Sequence, residues 1–393
     1  MIIGIFTDTY YPDINGVSTA SATLYKALKQ AGHTVYVVTS SKGRKVRIDD
    51  EFIIRIPGVT CKKLYGYKLA WIYNRKAYNI LKKINFDIIH IQTEIGIGIF
   101  GVLLARKWNI PLVYTYHTMY NDYTYYVTGN KKRLDRGVKK LLAAVTRKFI
   151  DYTAASTTTS VKARNALKTY GVSKNVFVVP NGVDFSNFDK SKISAEEIYE
   201  FKRENGLEDK YILLSLGRVA KEKSIDLTLQ GLKKYVTINP SSNVFLLIVG
   251  DGPDRERLEK MTKDLDLQKF VKFVGKVEYA KTPFFYAISD LFIGSSTTET
   301  QGLTYNEAMS TECLVMSIFD FNLKSVIIDH ETGFYYKDVN DFPKVLDEII
   351  NLPDTERARI IKNAKENNTK LFSIDTYAEK MTEVYKNAKR SLW

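Results

Sequence analysis

The sequence predicts an α/β protein of two Rossmann-like domains facing across a cleft. Short β-rich runs alternate with amphipathic segments along the whole chain, and the pattern restarts once near the middle. A length of 393 residues exceeds one ordinary core and fits two domains of about 150–200 residues each. The 45% hydrophobic content can fill both.

The first half opens with the apolar run Ile2 to Phe6, read as a strand, then a helix from Ser18 to Gln30 and strands at Thr34–Val38 and Phe52–Ile56. A helix near Asn74–Lys83, a strand at Asp87–Ile91, a helix from Gly98 and a strand at Pro111–Thr115 continue the alternation. Such alternation implies a mostly parallel sheet covered on both faces. After Phe177-Val-Val-Pro180 the polar stretch up to Ser194 reads as a linker. The pattern then resumes with Tyr211–Leu216, Leu227–Tyr235, Val244–Val249, Arg255–Leu265, Val271–Val274 and Asp290–Gly294, followed by a helical stretch from Leu303 to Ser310. The expected division is 1–185, 186–375, and a last helix within 376–393 that returns to the first domain.

Charge is unevenly divided. Residues 1–185 hold 28 Lys and Arg against 11 Asp and Glu, whereas residues 186–393 hold 30 against 33, so the net +14 comes from the first half. That asymmetry calls for an anionic partner of one domain only: nucleic acid, an anionic membrane surface or an acidic substrate. The longest apolar run, Ile95 to Ala105, is too short to span a bilayer and carries three glycines; no basic n-region of a signal peptide opens the chain, so a cytoplasmic protein is expected. Cys61 and Cys313 have neither a neighbouring Cys nor a ligand-spaced His, which argues against a disulfide framework or a zinc site.

The most informative chemistry lies in Thr298-Glu-Thr-Gln-Gly-Leu-Thr-Tyr-Asn-Glu307, where two acids stand eight positions apart across a strand-to-helix junction. With the helix starting near Gly302, the N–H groups of its first turn and its dipole favour an anion such as a diphosphate in the loop of Thr300, Gln301, Gly302 and Leu303. Glu299 in the loop and Glu307 inside the helix can each accept two hydrogen bonds from a vicinal diol, one on a hexose and one on a ribose. Two surface glutamates on a helix would give the same bare spacing. In the first half, Thr7-Asp-Thr-Tyr-Tyr-Pro-Asp-Ile-Asn15-Gly16-Val follows a strand and leads into a helix, and Gly16 would let the backbone approach a phosphate.

The E-x7-E segment resembles the retaining glycosyltransferases of family 4, and the resemblance extends over nearly the whole chain. It implies the GT-B fold and a nucleotide sugar as donor. Leu216-Gly-Arg218-Val-Ala-Lys-Glu-Lys223 matches the family's G-R-x4-K pattern, which implies that Arg218 and Lys223 stabilise the leaving diphosphate without a metal or other cofactor. Val249-Gly250-Asp-Gly252-Pro253 is a turn of the type the family uses to line the base pocket, although a simple turn explains it equally well. His117, within Tyr114-Thr-Tyr-His117-Thr-Met-Tyr-Asn-Asp-Tyr, matches the first-domain histidine that faces the transferred sugar. With Phe6-Thr-Asp-Thr-Tyr-Tyr-Pro and Gln92-Thr-Glu94, these segments look like the bacterial diacylglycerol glucosyltransferases. That likeness implies transfer of a hexose, glucose from UDP-glucose first, to diacylglycerol or a monoglycosyl-diacylglycerol. The chain departs from the family pattern at Asn15, where many members have glycine, and at Thr311-Glu312, where members usually have a glycine after the helix.

Two motifs compete with this reading. Gly96-Ile-Gly98-Ile-Phe-Gly101 spells the dinucleotide fingerprint, but it stands outside the first βα unit and lacks the acidic partner about 20 residues on, so close helix packing is expected. Asp264-Leu-Asp266 spells a metal-binding D-x-D, yet it ends a Lys-rich helical segment and reads as a solvated face. Finally, Lys131, Lys132, Arg133, Arg136, Lys139, Lys140, Arg147 and Lys148 are interleaved with Leu134, Val138, Leu141, Leu142, Val145 and Phe149, a basic amphipathic helix suited to an anionic lipid surface on the inner face of the cell membrane. Lys62-Lys-Leu-Tyr-Gly-Tyr-Lys-Leu-Ala-Trp71-Ile-Tyr73 mixes cations and aromatics in the same way. A core-packed helix with a Lys-rich outer face is the alternative. Nucleic-acid binding fits the sequence pI of 9.3 but finds no recognition motif.

Overall fold

The computed structural model describes residues 1–13, 15–50, 52–61, 67–117, 132–299 and 301–391, with the backbone alone at 60, 61, 67–69 and 132. The chain divides into two compact units, Met1–Gly182 with Ile374–Trp393, and Val183–Ser373. The division falls three residues before the one expected at 185/186, and the last helix packs within the first unit.

The first unit contains β1 (Ile2–Thr7), α1 (Gly16–Gln30), β2 (Thr34–Ser41), β3 (Arg47–Asp49), β4 (Ile53–Cys61), β5 (Tyr67–Ala70), α2 (Arg75–Leu81), β6 (Ile88–Ile91) and α3 (Gly96–Trp108). It continues through β7 (Leu112–Tyr116), α4 (Lys132–Asp151), β8 (Ala155–Thr158), α5 (Val161–Thr169) and β9 (Val176–Val178). Nine strands form one sheet in the order β3-β4-β2-β1-β6-β7-β8-β9, with β5 also on β4. All pairs are parallel except β3 and β5 against β4. Every residue of β6 and β7 is buried, as expected for central strands covered on both faces rather than an alternating half-exposed sheet.

The second unit comprises α6 (Ala195–Glu204), β10 (Tyr211–Leu216), α7 (Ile225–Ile238), β11 (Val244–Val249), α8 (Arg255–Asp264), β12 (Val271–Gly275), α9 (Thr282–Ala287), β13 (Leu291–Gly294), α10 (Leu303–Ser310), β14 (Leu314–Ile318), β15 (Phe334–Tyr336), α11 (Phe342–Ile350) and α12 (Asp354–Phe372). Its six strands are all parallel, in the order β12-β11-β10-β13-β14-β15. The order reverses direction between β10 and β13, the kind of switch point at which doubly wound sheets open a crevice.

The last helix, α13 (Ile374–Arg390), buries Tyr377, Met381, Val384, Tyr385 and Ala388, a single stripe at helical spacing. These side chains join Ile3, Ile5, Leu24, Val35 and Val113 in one apolar cluster. Burying each such large side chain contributes roughly 1.5–3 kcal/mol, so the stripe holds the helix against α1 and the sheet.

Helix α10 ends at the position where the family usually has glycine. Glu312 adopts the left-handed conformation with φ 62°, its N–H donates to the Met309 carbonyl, and the Cys313 N–H donates back to the Ala308 carbonyl. This is a Schellman ending made with a non-glycine residue. Lys365 Nζ donates to Glu312 Oε1 at 2.8 Å across the surface. Left-handed strain costs about 1–2 kcal/mol, more than an exposed ion pair of about 0–1 kcal/mol returns. Glu312→Gly should therefore leave the melting temperature unchanged or raise it by a few degrees in a thermal melt; a clear drop would show that the Lys365 contact dominates.

Candidate functional site

The pocket in the second unit forms where the loops after β10 and β13 meet, lined among others by Gly217, Arg218, Lys223, Ser296, Glu299 and Thr304. Gly217, with φ 144°, turns the chain off β10 in a conformation that only glycine adopts readily. The loop then passes through a short 3₁₀ turn, Lys221–Lys223, before α7. Lys223 Nζ donates to Glu299 Oε1 at 2.7 Å, and Arg218 lies 3.6 Å from Glu222. The Glu299 loop is tied at both sides: Thr298 Oγ1 donates to the Glu222 carbonyl at 3.3 Å, and the Asn322 side-chain amide donates to the Glu299 carbonyl. Two cations and one carboxylate expected from separate motifs thus share one pocket, with the ammonium and carboxylate already in contact.

Gly302 caps α10 in the left-handed region with φ 78°, where a Cβ would come within 2.6 Å of Leu323 and 2.8 Å of Tyr305. The N-cap position itself has no side chain with which to close the helix end. Thr304 lines the pocket, and Gln301 and Leu303 adjoin Gly302 at the same junction; Thr300 lies outside the described residues.

Glu307 is turned another way. It is 5% exposed, with Oε1 accepting from the Tyr279 hydroxyl at 2.9 Å and Oε2 from the Tyr286 hydroxyl at 2.8 Å. The described structure places Glu307 among α9 and the turn before it, because α10 is packed on several sides, and shows both oxygens engaged by tyrosines in place of the expected diol. Burial pushes its carboxyl up to about 7, against the pull of the two tyrosine hydrogen bonds.

Gly250 and Gly252 sit in a turn that is closely packed on backbone. A Cβ on Gly250 would stand 1.8 Å from the Gly217 carbonyl oxygen, and one on Gly252 would stand 2.2 Å from that of Val219. The Val219 N–H donates to the Asp251 carbonyl, and the Asp254 N–H donates to the Val219 carbonyl. These glycines let the turn after β11 pack directly beneath the loop that carries Arg218.

In the first unit the G-x-G-x-x-G segment is a packing device. A Cβ on Gly96 would meet the Ala70 carbonyl oxygen at 2.2 Å, and one on Gly98 would meet that of Thr93 at 1.7 Å. The N-terminus of α3 is met by a carboxyl of the protein itself: Asp8 Oδ1 accepts from the Ile97 N–H at 2.9 Å and Oδ2 from the Thr93 hydroxyl at 2.6 Å, while burial pushes this carboxyl above the usual carboxylate range. Asn15 has a defined task as well. Its Oδ1 caps α1 by accepting from the Ser18 N–H at 2.9 Å, and its amide donates to Thr9 Oγ1 at 2.7 Å. Gly16 follows as the first residue of α1, with nothing among the described residues within 4 Å of where a Cβ would be.

His117 follows β7 and is partly accessible, and its Nε2 lies 2.5 Å from Gln92 Oε1. Desolvation of the ring pulls its pKa down to about 4, so it is neutral at physiological pH. Asp264 and Asp266 are exposed at the end of α8, in keeping with a solvated face.

Helix α4 contains the expected basic amphipathic segment, starting at Lys132. Its C-terminal end joins the core through buried Ile150 and partly buried Phe149, whereas Leu134, Leu141 and Val145 are exposed, Leu141 to 65%, beside exposed Arg133, Arg136 and Lys140. Lys139 pairs with Asp135 at 2.8 Å. Trp71, Ile72 and Tyr73 are also exposed. Lys131, the aromatic run 118–126 and residues 62–66 lie outside the described residues, as do the side chains of Lys132 and Cys61; Cys313 is a buried thiol. Among the described residues no helix is long and apolar enough to cross a membrane.

Two Rossmann-like units, the second with a cation-rich pocket at the carboxyl ends of its strands, are the architecture of a GT-B glycosyltransferase. Residues 14–187 match the pattern of Glycosyltransferase Family 4, and residues 197–367 match that of Glycosyl transferases group 1. The chain is 32% identical to an alpha-monoglucosyldiacylglycerol synthase of Streptococcus pneumoniae, over 99% of this chain and 86% of that protein. It is 31% identical to one of Acholeplasma laidlawii, over 98% and 96% respectively. Among solved structures it resembles Anabaena HepE in complex with UDP and glucose, with TM-score 0.75, 16% identity and coverage of 98% of this chain and 99% of that one. The sucrose-phosphate synthase of Thermosynechococcus elongatus gives 0.77 at 20% identity, covering 98% of each chain. The chain belongs to the glycosyltransferase family that contains these diacylglycerol glucosyltransferases, and it is a glycosyltransferase.

Sequence reasoning missed Tyr279 and Tyr286 as partners of Glu307, Asn322 as the clamp on Glu299, and Asp8 as the acceptor at the start of α3. None carries a local pattern, because each acts on a segment distant in sequence. The raised Glu307 carboxyl has a consequence for stability. The folded state holds its proton up to about pH 7 while the unfolded chain releases it near 4.5, so stability falls as pH rises through that window. Glu307→Gln, which keeps the shape and removes the titration, should lose less stability than the wild type between about pH 5 and 8, by on the order of 2–3 kcal/mol in denaturant melts. Parallel pH profiles for the two proteins would contradict the buried, protonatable carboxyl.

Proposed function

We propose that this protein is a retaining, metal-independent hexosyltransferase that moves glucose from UDP-glucose to diacylglycerol, or to a monoglycosyl-diacylglycerol, at an anionic membrane surface on the cytoplasmic side. The Lys223–Glu299 contact beside Arg218 carries the chemical reading. The full-length likeness to two proteins named alpha-monoglucosyldiacylglycerol synthase supports the acceptor.

In this mechanism the bond between the anomeric carbon and the diphosphate oxygen breaks while the acceptor hydroxyl oxygen bonds to the same face of that carbon. The acceptor proton passes to the departing diphosphate. Arg218 and Lys223 meet the charge that develops there, and the α10 N-terminus, with Gly302 in place of a capping side chain, offers its N–H groups to the same phosphates. Glu299 accepts from hexose hydroxyls while the contact with Lys223 orients it. Neutral His117 serves the transferred sugar as a hydrogen-bonding group.

A transfer assay with UDP-glucose and diacylglycerol in mixed micelles should give an α-glucoside, and EDTA should leave its rate intact. Lys223→Ala should lose about 3 kcal/mol or more of transition-state stabilisation, seen mainly in kcat. A strict requirement for Mg²⁺ or Mn²⁺, restored by titration, would remove the cation-pair account.

The exposed apolar side of α4, flanked by Arg133, Arg136 and Lys140, suits an anionic bilayer, with roughly 1 kcal/mol from each engaged cation. The protein should float with anionic liposomes and much less with neutral ones. Replacing Lys131, Lys132, Arg133, Arg136, Lys139 and Lys140 by Gln should weaken flotation without changing affinity for the donor. Indifference to anionic liposomes, with equal transfer to a soluble sugar, would favour a polysaccharide or soluble acceptor instead.

A further inference from the structure

Behind His117 runs a buried series of polar groups that neither sugar binding nor diphosphate stabilisation uses. His117 Nε2 lies 2.5 Å from Gln92 Oε1, and the Gln92 amide nitrogen stands against the His90 ring, 3.0 Å from Nε2 and 3.2 Å from Nδ1. His90 Nδ1 then meets the Tyr385 hydroxyl at 2.8 Å, and its Nε2 meets Thr115 Oγ1 at 2.7 Å; Thr115 contacts Thr157 at 2.6 Å. His90 and Tyr385 are fully buried and Gln92 nearly so. Burying this many polar groups is unfavourable unless every one is paired, and three apolar side chains would fill the same space at lower cost.

The arrangement has a direction. The Gln92 nitrogen can only donate and is turned to the His90 ring, so its oxygen accepts from His117, which places the His117 proton on Nε2 and leaves Nδ1 an acceptor. The amide presents an acceptor to one ring and a donor to the other from two atoms held in one plane. Tyr385 completes the series from α13, 295 residues from His90 in sequence. Both imidazoles are neutral. Desolvation pulls His90 down to about 3, helped by repulsion from His117, and desolvation pulls His117 down to about 4.

We propose that Gln92, backed by His90 and Tyr385, is a positioning residue that fixes the ring orientation and tautomer of His117, presenting unprotonated Nδ1 as a hydrogen-bond acceptor for a hydroxyl of the transferred sugar. The inference rests on the assignment of His117 to that sugar. It makes the last helix a contributor to the first unit's chemistry as well as to its core.

Two measurements test it. An NMR titration of the His117 ring, in free enzyme, compares the wild type with Gln92→Glu and Tyr385→Phe. A carboxylate at 92 favours the imidazolium, so Gln92→Glu should raise the His117 pKa by a unit or more and carry the acid limb of the kcat profile upward with it. Gln92→Leu should lower kcat on the order of 10- to 100-fold with the donor KM little changed, as expected for a misplaced reacting geometry. Tyr385→Phe, which removes one oxygen and keeps the packing, should lower kcat several-fold and alter the His90 ring signals. Melting temperatures identify variants that fold. A His117 titration unmoved in folded Gln92→Glu, or full kcat in folded Gln92→Leu, overturns the inference. A wild-type protein with no transfer activity but a shifted His117 in Gln92→Glu would overturn the proposed function and leave the coupling standing.

Discussion

A parallel sheet covered on both faces leaves its strand ends as the main place for polar chemistry, and this constraint organises both units. Asp8 follows β1, Gln92 follows β6, and His117 follows β7. Arg218 follows β10, and Ser296 and Glu299 follow β13. All stand at the carboxyl ends of their strands, on the side where the next helix begins and its N–H groups are unpaired. The interiors of β6 and β7 carry two polar side chains of note, His90 and Thr115, and both are tied into the same hydrogen-bonded series.

The two units use the same junction for opposite ends. At α3 the protein supplies its own acceptor: Asp8 occupies the N-terminus, and Gly96 and Gly98 bring the helix so close to neighbouring carbonyls that no phosphate is needed to satisfy it. At α10 the capping position is a left-handed glycine with no side chain to offer, and the pocket beside it gathers Arg218 and Lys223. A filled helix end is structural, while an open one beside cations is a place for a ligand's anion. The turn after β11 serves the second case from below, since Gly250 and Gly252 allow the backbone contacts that hold the Arg218 loop in place.

Charge in this protein is managed by pairing at the pocket and by neutrality in the interior. Lys223 and Glu299 remain in contact where water reaches them. Glu307, His90 and His117, which are desolvated, shift toward their neutral forms. The carboxyl rises and the imidazoles fall, as low polarity requires of acids and bases. Acidification below about pH 6 therefore works against the two histidines, while alkalinisation through about pH 7 works against Glu307.

Much of this was legible in the sequence because it depends on local periodicity and spacing. The alternation of elements, the restart after residue 194, the packing role of Gly96-x-Gly98-x-x-Gly101 and the solvated Asp264-x-Asp266 all follow from patterns within a few turns of chain. Arg218, Lys223 and Glu299 were named from their motifs, and their common pocket follows from neighbouring parallel strands. What only the tertiary structure decided is direction and partnership. An eight-residue spacing does not say which way Glu307 points when α10 is buried on most sides, because a helix without a solvent face has no phase to read; Tyr279 and Tyr286 decided that. Nor could composition link Tyr385 to His90 across 295 residues, since that contact exists only because the apolar stripe of α13 seats its helix on the first sheet.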